Sequence, residues 1–182
     1  MSVNNFTYNE TKGVIFDYED CALGHIIGAD FALKHGLSRV MELRYGIRAE
    51  LKRLYGKGNW QGVGYCLISN NGHILNLVVK DKYWMKTSYD RMEEALWDCR
   101  RVMEQYGIKK LVIPRIGTGM DELEWSKVHD IIFKVFCTTN LDIRVVYIDE
   151  YIDGAVVDAD MEKHNFGKDR KHIDGNLEKK YF

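Results

Sequence analysis

The sequence predicts an α/β fold of three layers, α/β/α, built on a mixed central sheet. Three observations lead there. Short apolar runs that fit buried strands alternate with segments whose apolar residues recur at helical spacing. Two of the runs, 65–68 and 73–79, flank Ser69-Asn70-Asn71-Gly72, and Asn-Gly between apolar runs signals a hairpin, so the sheet contains an antiparallel pair. With 182 residues and 46% hydrophobic content, the chain has enough apolar side chains for the core of one domain.

Taken in order, residues 6–8 form a first short strand, and 12–16, KGVIF, are a glycine turn into an apolar run. Residues 23–27, LGHII, fit a buried strand, with His25 expected as a core histidine. The loop 28–36, GADFALKHG, leaves that strand. Leu37, Val40 and Met41 predict a helix to about Tyr45, Gly46 breaks it, and Ile47, Leu51 and Leu54 continue a second helical face to Tyr55. Glycines 56, 58, 62 and 64 make the next stretch a loop. The hairpin follows, and its second strand ends at Lys80, ahead of a charged and aromatic loop, 81–86. Thr87 or Ser88 caps a helix with Tyr89, Met92, Leu96, Cys99, Met103 and Tyr106 on one face, and Gly107 ends it.

Residues 111–125, LVIPRIGTGMDELEW, organise the rest. Leu111-Val112-Ile113 reads as a buried strand and Pro114 ends its ladder. Gly117-Thr118-Gly119 is a glycine-rich turn, and Val128, Ile131, Ile132, Val135 and Phe136 are the stripe of a helix beginning near Leu123 or Glu124. Strand, glycine loop and helix start either make a tight connection or bind an anion, because glycine lets the backbone approach closely and the N–H groups point outward. Asp121 is placed either to cap the helix or to act on a ligand. Residues 142–148 are the last strand. Ligands of such sheets sit at the carboxyl ends of the strands, where the loops 28–36, 80–86 and 115–121 converge.

Beyond Glu150 the composition turns to Asp, Lys, Gly and His without periodicity, so 1–150 is expected as the domain and 151–182 as an irregular tail or cap. Asp158, Asp160, Glu162 and His164 match no metal-loop spacing, and no metal or cofactor is expected. A net charge of −1 gives no basic footprint for nucleic acid. The four cysteines, 21, 66, 99 and 137, form no CxxC pair and read as reduced thiols of a cytoplasmic protein. The first ten residues lack the basic flank and apolar centre of a signal peptide, and no stretch is long enough to span a membrane. A monomer is expected.

PRIGTGMDELEW resembles the second ligand loop of macrodomains, the ADP-ribose-binding fold, and is most similar to the branch of the terminal ADP-ribose protein glycohydrolase. The resemblance runs over about residues 6–149 and includes Leu23 to Ile27 and LVVKDKYWMKTSY at 77–89. It implies a macrodomain-like fold and a hydrolase removing ADP-ribose from modified acidic residues or a modified nucleobase, with an ADP-ribosylated macromolecule or ADP-ribose itself as partner. It puts the lysine nucleophile on Lys80 and an assisting aspartate on Asp121. It places Arg115, Ile116, Gly117, Thr118, Gly119 and Met120 around the diphosphate and distal ribose. Gly28, Ala29, Asp30, His35 and Gly36 fall on the first ligand loop, and Ile15 also falls on the ligand. Two positions depart from the family: Val14 stands where an adenine-contacting aspartate is usual, with Asp17 nearby, and Lys34-His35-Gly36 replaces the first loop's usual Gly-x-Gly.

A lysine attacking an anomeric carbon or its open-chain aldehyde has to be neutral part of the time, so Asp121 serves better as a proton shuttle than as a permanent partner. A Lys80–Asp121 salt bridge is the plain structural alternative. Tyr83 and Trp84 either stack on a base or ribose or cover the sheet edge. Lys12, Lys34 and Arg115 are candidate cations for phosphates. A non-cleaving ADP-ribose reader and an ADP-ribose 1″-phosphate phosphatase stand as alternative functions.

Overall fold

The computed structural model describes residues 3–56 and 62–147. Strands β1 (Thr7–Lys12), β2 (Ala22–Gly28), β3 (Cys66–Ser69), β4 (Ile74–Lys80), β5 (Lys110–Pro114) and β6 (Asp142–Tyr147) make one sheet, ordered β1-β6-β5-β2-β4-β3. Only β3 runs antiparallel to its neighbour, β4, so the sheet is mixed. Helices α1 (Gly36–Tyr45) and α2 (Ile47–Tyr55) cover one face, and α3 (Tyr89–Tyr106) and α4 (Trp125–Phe136) the other.

The layers follow from strand periodicity. Strand β4 is buried along its whole length. Its Ile74 and Val78 pack with Leu23, Ile27, Val112 and Val146 under Val40, Met41, Ile47 and Leu51. The alternate residues Leu75, Leu77 and Val79 join Leu111, Ile113, Ile143 and Val145 under the buried faces of α3 and α4. The same period of two puts Asn76 and Lys80 on the α1/α2 side. Each fully buried Leu, Ile or Phe contributes roughly 1.5–3 kcal/mol relative to exposure, so both faces are firmly clad.

Strand β2 pairs with β4 from Leu23 to Gly28 but with β5 only through Ala22↔Leu111 and Leu23↔Val112. Past those two pairs the strands part, and the gap opens at the carboxyl ends of the parallel strands.

Several elements differ from their sequence signals. β1 extends to Lys12 although TYNETK has no apolar alternation, because it is an edge strand paired only with β6. Residues 15–17 form a 3-10 turn with Ile15 and Phe16 buried. Asn70, Asn71 and Gly72 all have positive φ (51°, 55° and 86°), so the hairpin closes through three residues in the left-handed region. On α3, Ala95 and Val102 are buried while Tyr106 is 62% exposed, because the apolar stripe drifts around a long helix. α4 starts only at Trp125, with Glu124 at the N-cap position, and Ser88 rather than Thr87 caps α3 by accepting from the Arg91 N–H at 3.3 Å. The middle of the glycine loop (57–61), Ile148, the boundary at 150, the tail 151–182 and its Asp158, Asp160, Glu162 and His164 lie outside the described residues. Among the described residues, no helix is long and apolar enough to cross a membrane, and no group of three or more His, Cys, Asp or Glu could hold a metal ion.

Candidate active site

The gap between β2 and β5 leads into a cleft of about 650 Å³. Ile15, Gly28, His35, Gly36, Lys80, Arg115, Ile116, Gly117, Thr118, Gly119, Met120 and Asp121 all line it. Ala29 and Asp30 do not, because their polar groups tie two loops together behind the wall. The Ala29 N–H donates to the Lys80 carbonyl at 2.8 Å, and the Asp30 carboxylate accepts from the N–H groups of Ala32 (3.3 Å) and Tyr83 (3.1 Å). Gly28 is where these loops cross. A Cβ there would stand 2.8 Å from the Tyr83 nitrogen, so any side chain displaces the segment that follows Lys80.

Lys80 ends β4 with its ammonium buried at the floor. Nζ donates to Asp121 Oδ1 at 3.0 Å and Oδ2 at 3.1 Å, and Asp121 is buried as well. Oδ1 also accepts from the Thr87 N–H at 2.9 Å. Asp121 is therefore not a helix cap but the partner of a lysine 41 residues away. A buried pair of this kind gains little net stability over apolar packing, yet removing one member strands a charge.

The 115–121 loop is held by its own backbone and by packing beneath it. The Leu123 N–H donates to the Gly117 carbonyl at 2.8 Å, and the Thr118 hydroxyl donates to the Arg115 carbonyl at 2.6 Å. Gly117 has φ +81°, and a Cβ would come within 2.8 Å of Leu123 Cδ1, so conformation and space both demand glycine. Arg115 Nε donates to Glu10 Oε1 at 2.7 Å, and the guanidinium lies 4.1 Å from the Tyr147 ring centroid. Glu10 also accepts from the Tyr8 hydroxyl and the Trp125 indole N–H. Burial and that carboxylate push the Tyr8 phenol well above its usual range.

The first loop is strained. Phe31 and Leu33 are buried at φ +50° and +47°, a region bulky residues avoid. Arg48, on α2, donates from Nη2 to the Ala32 carbonyl at 2.5 Å and reaches the Leu33 carbonyl at 3.5 Å, which holds the loop in place. No local signal marks Arg48, since its partners precede it by 15 and 16 residues. At the rim, the Tyr83 ring lies 5.3 Å from that of His35, with Lys34 Nζ 5.1 Å from its centroid. Tyr83 and Lys34 line the cleft. Trp84 is 65% exposed and Lys12 is also exposed; neither lines it.

His25 lines the cleft from β2 and is fully buried. Asn76 donates to the Leu67 carbonyl and the Ser69 hydroxyl, each at 2.9 Å, which turns its own oxygen toward His25 Nε2 at 2.6 Å. That assigns the proton to Nε2. Nδ1 faces the Ser38 hydroxyl at 3.3 Å. Burial, only partly offset by the Asn76 bond, pulls the imidazole down to about 4. Unfolded histidine protonates near pH 6.5 while the folded ring stays neutral. Stability contributed above pH 6.5 is therefore lost as pH falls toward 4, by roughly 3 kcal/mol for this group. Denaturant unfolding at pH 7 and pH 4.5 is expected to show a larger loss for the wild type than for His25→Gln, and equal losses would contradict a neutral buried His25.

No protein-family model matches the chain. It is 27% identical over 124 residues to human ADP-ribose glycohydrolase OARD1, covering 68% of this chain and 80% of that protein. Among solved structures, the macrodomain of Thermus aquaticus DarG superposes with a TM-score of 0.71 at 15% identity, covering 78% of this chain and 98% of that one. Thermosipho africanus DarTG, solved in complex with ADP-ribose, superposes with a TM-score of 0.63 at 17% identity, over 76% of this chain and 41% of that one. The six-stranded mixed sheet between two helical layers, the loops at its carboxyl edge and these likenesses show that the chain has the macrodomain fold, and in sequence it is similar to ADP-ribose glycohydrolase OARD1.

Proposed function

We propose that the protein is an ADP-ribosyl hydrolase that binds ADP-ribose in the cleft and releases it from modified acidic residues of proteins or from a modified nucleobase, with Lys80 as nucleophile. The observation that carries this reading is the buried Lys80–Asp121 pair on the floor of a cleft whose wall is the glycine loop. A lysine and a carboxylate brought together from distant parts of the chain, both facing a cavity, are the parts needed for covalent attack with proton transfer. Similarity to proteins named for ADP-ribose glycohydrolysis supports the substrate class.

In this reading the diphosphate lies against 115–120, whose backbone N–H groups and Arg115 neutralise it. The distal ribose then stands over Lys80. The amine attacks the anomeric carbon as the bond from that carbon to the ester oxygen breaks, and the electron pair leaves with the free carboxylate. Asp121 passes the proton it accepted from the ammonium to the departing carboxylate, then takes one from the attached nitrogen and hands it to the ring oxygen. Ring opening gives a protonated Schiff base, and water adds to its carbon. The amine then departs, which regenerates Lys80 and yields ADP-ribose. Before attack the ion pair has to part, as Asp121 takes one proton from the ammonium and leaves a neutral amine. Free buried thiols at Cys21, Cys66 and Cys99 and an exposed one at Cys137 support a cytoplasmic protein, which acts as a monomer.

The test is calorimetry with ADP-ribose, paired with incubation on a Glu-ADP-ribosylated protein and on ADP-ribose 1″-phosphate. Binding together with release of ADP-ribose from the protein substrate is the expected result. Binding without release makes the protein a reader held shut by its ion pair, and turnover of the phosphate alone makes it a phosphatase.

A further inference from the structure

The geometry points to Thr87 as a positioning residue that decides which oxygen of Asp121 handles the proton, an inference that rests on the hydrolase reading above. Thr87 lies just ahead of α3. A threonine there would ordinarily cap the helix, but Ser88 does so, and Thr87 uses its groups differently. Its hydroxyl donates to the carbonyl of Val79, the residue before Lys80, at 2.6 Å. Its main-chain N–H donates to Asp121 Oδ1 at 2.9 Å. One residue is thus anchored to the backbone beside the lysine and holds the carboxylate opposite it.

The consequence is an asymmetry between the two carboxylate oxygens. Oδ1 accepts from both Thr87 and Lys80, whereas Oδ2, among the described residues, accepts from Lys80 alone at 3.1 Å. When Lys80 leaves the pair to attack, Oδ1 keeps its donor and Oδ2 has none. Oδ2 is therefore the oxygen left open to take the proton from nitrogen, while the Thr87 N–H keeps the carboxylate from turning away. The hydroxyl bond to Val79 matters because it fixes the loop, and with it the N–H, relative to the strand that carries Lys80.

The test uses Thr87→Val, which keeps the N–H and shape but loses the hydroxyl, and Thr87→Ser, which keeps both donors. Each is assayed on a Glu-ADP-ribosylated protein across pH, alongside calorimetry with ADP-ribose and thermal unfolding. Thr87→Val is expected to lower kcat about tenfold with KM and ADP-ribose affinity within about twofold, and to shift the pH profile of kcat. Thr87→Ser is expected to restore kcat to within about threefold. A Thr87→Val enzyme with wild-type kcat and pH profile overturns the role. So does one in which kcat, affinity and unfolding temperature fall together, since that marks a structural residue only. If the wild type binds ADP-ribose yet releases it from no modified substrate, the hydrolase reading fails and this role with it. Active wild type beside equally active Thr87→Val sinks the positioning role alone.

Discussion

Lys80→Ala is expected to remove hydrolysis, by about a thousandfold or more, while ADP-ribose affinity stays within about tenfold, roughly 1.4 kcal/mol. In the proposed mechanism the loss of Lys80 closes a covalent route, and most binding energy is expected from backbone donors of the 115–120 loop and contacts to the base. The substitution also leaves the buried Asp121 carboxylate with the Thr87 N–H as its remaining donor among the described residues, so the variant should unfold at lower temperature. Lys80→Arg separates the two effects. It keeps a cation beside Asp121 but cannot lose its proton, so it is expected to be as inactive as the alanine variant. Borohydride added during turnover should leave a stable adduct on the wild type and none on Lys80→Ala. A fully active Lys80→Arg would exclude covalent catalysis and reduce Lys80 to electrostatic support.

The second large effect is on binding. Gly119→Glu is expected to abolish ADP-ribose binding in calorimetry while the domain stays folded. Gly119 lines the cleft, so a glutamate there occupies the space for a phosphate and adds a like charge. Gly117 would be the wrong probe, because its positive φ and the nearby Leu123 side chain make any substitution a folding defect. Unchanged affinity in Gly119→Glu would move the diphosphate elsewhere in the cleft.

Much of the architecture was legible because its signals are local. The spacing of Ile47 and Leu51, the left-handed Gly46 between α1 and α2, and Asn-Gly between two apolar runs each act within a few residues. The polar β1 was only partly legible, since its strand character comes from pairing with β6, more than a hundred residues away. The site divides the same way. The glycine loop showed in the sequence, but Asp121 as cap or as partner of Lys80 was not decidable, because both roles suit a carboxylate ahead of a helix. Resemblance to a family suggested the pairing, and the distance of 3.0 Å locates it. Arg48 under the first loop gave no signal, because the carbonyls it holds belong to residues 15 and 16 positions earlier, and Thr87 read only as a candidate helix cap, because the carboxylate its N–H holds lies 34 residues away.

The brief contact between β2 and β5 gives the sheet a seam. On one side lie β1, β6 and β5 with the loop that carries Asp121; on the other lie β2, β4 and β3, with Lys80 at the end of β4. At the open end of the seam the ion pair is a rivet between two three-stranded leaves. A ligand that separates Lys80 from Asp121 removes that rivet and has to replace it with its own length, touching the first loop on one leaf and the glycine loop on the other. Amide exchange at Ile113 and Gly24, on facing strands just past the last residues paired between β2 and β5, should therefore slow when ADP-ribose binds the wild type. It should quicken in unliganded Lys80→Ala, where the Thr87 N–H bond to Asp121 and the Lys86–Glu122 pair remain but the buried ion pair is gone.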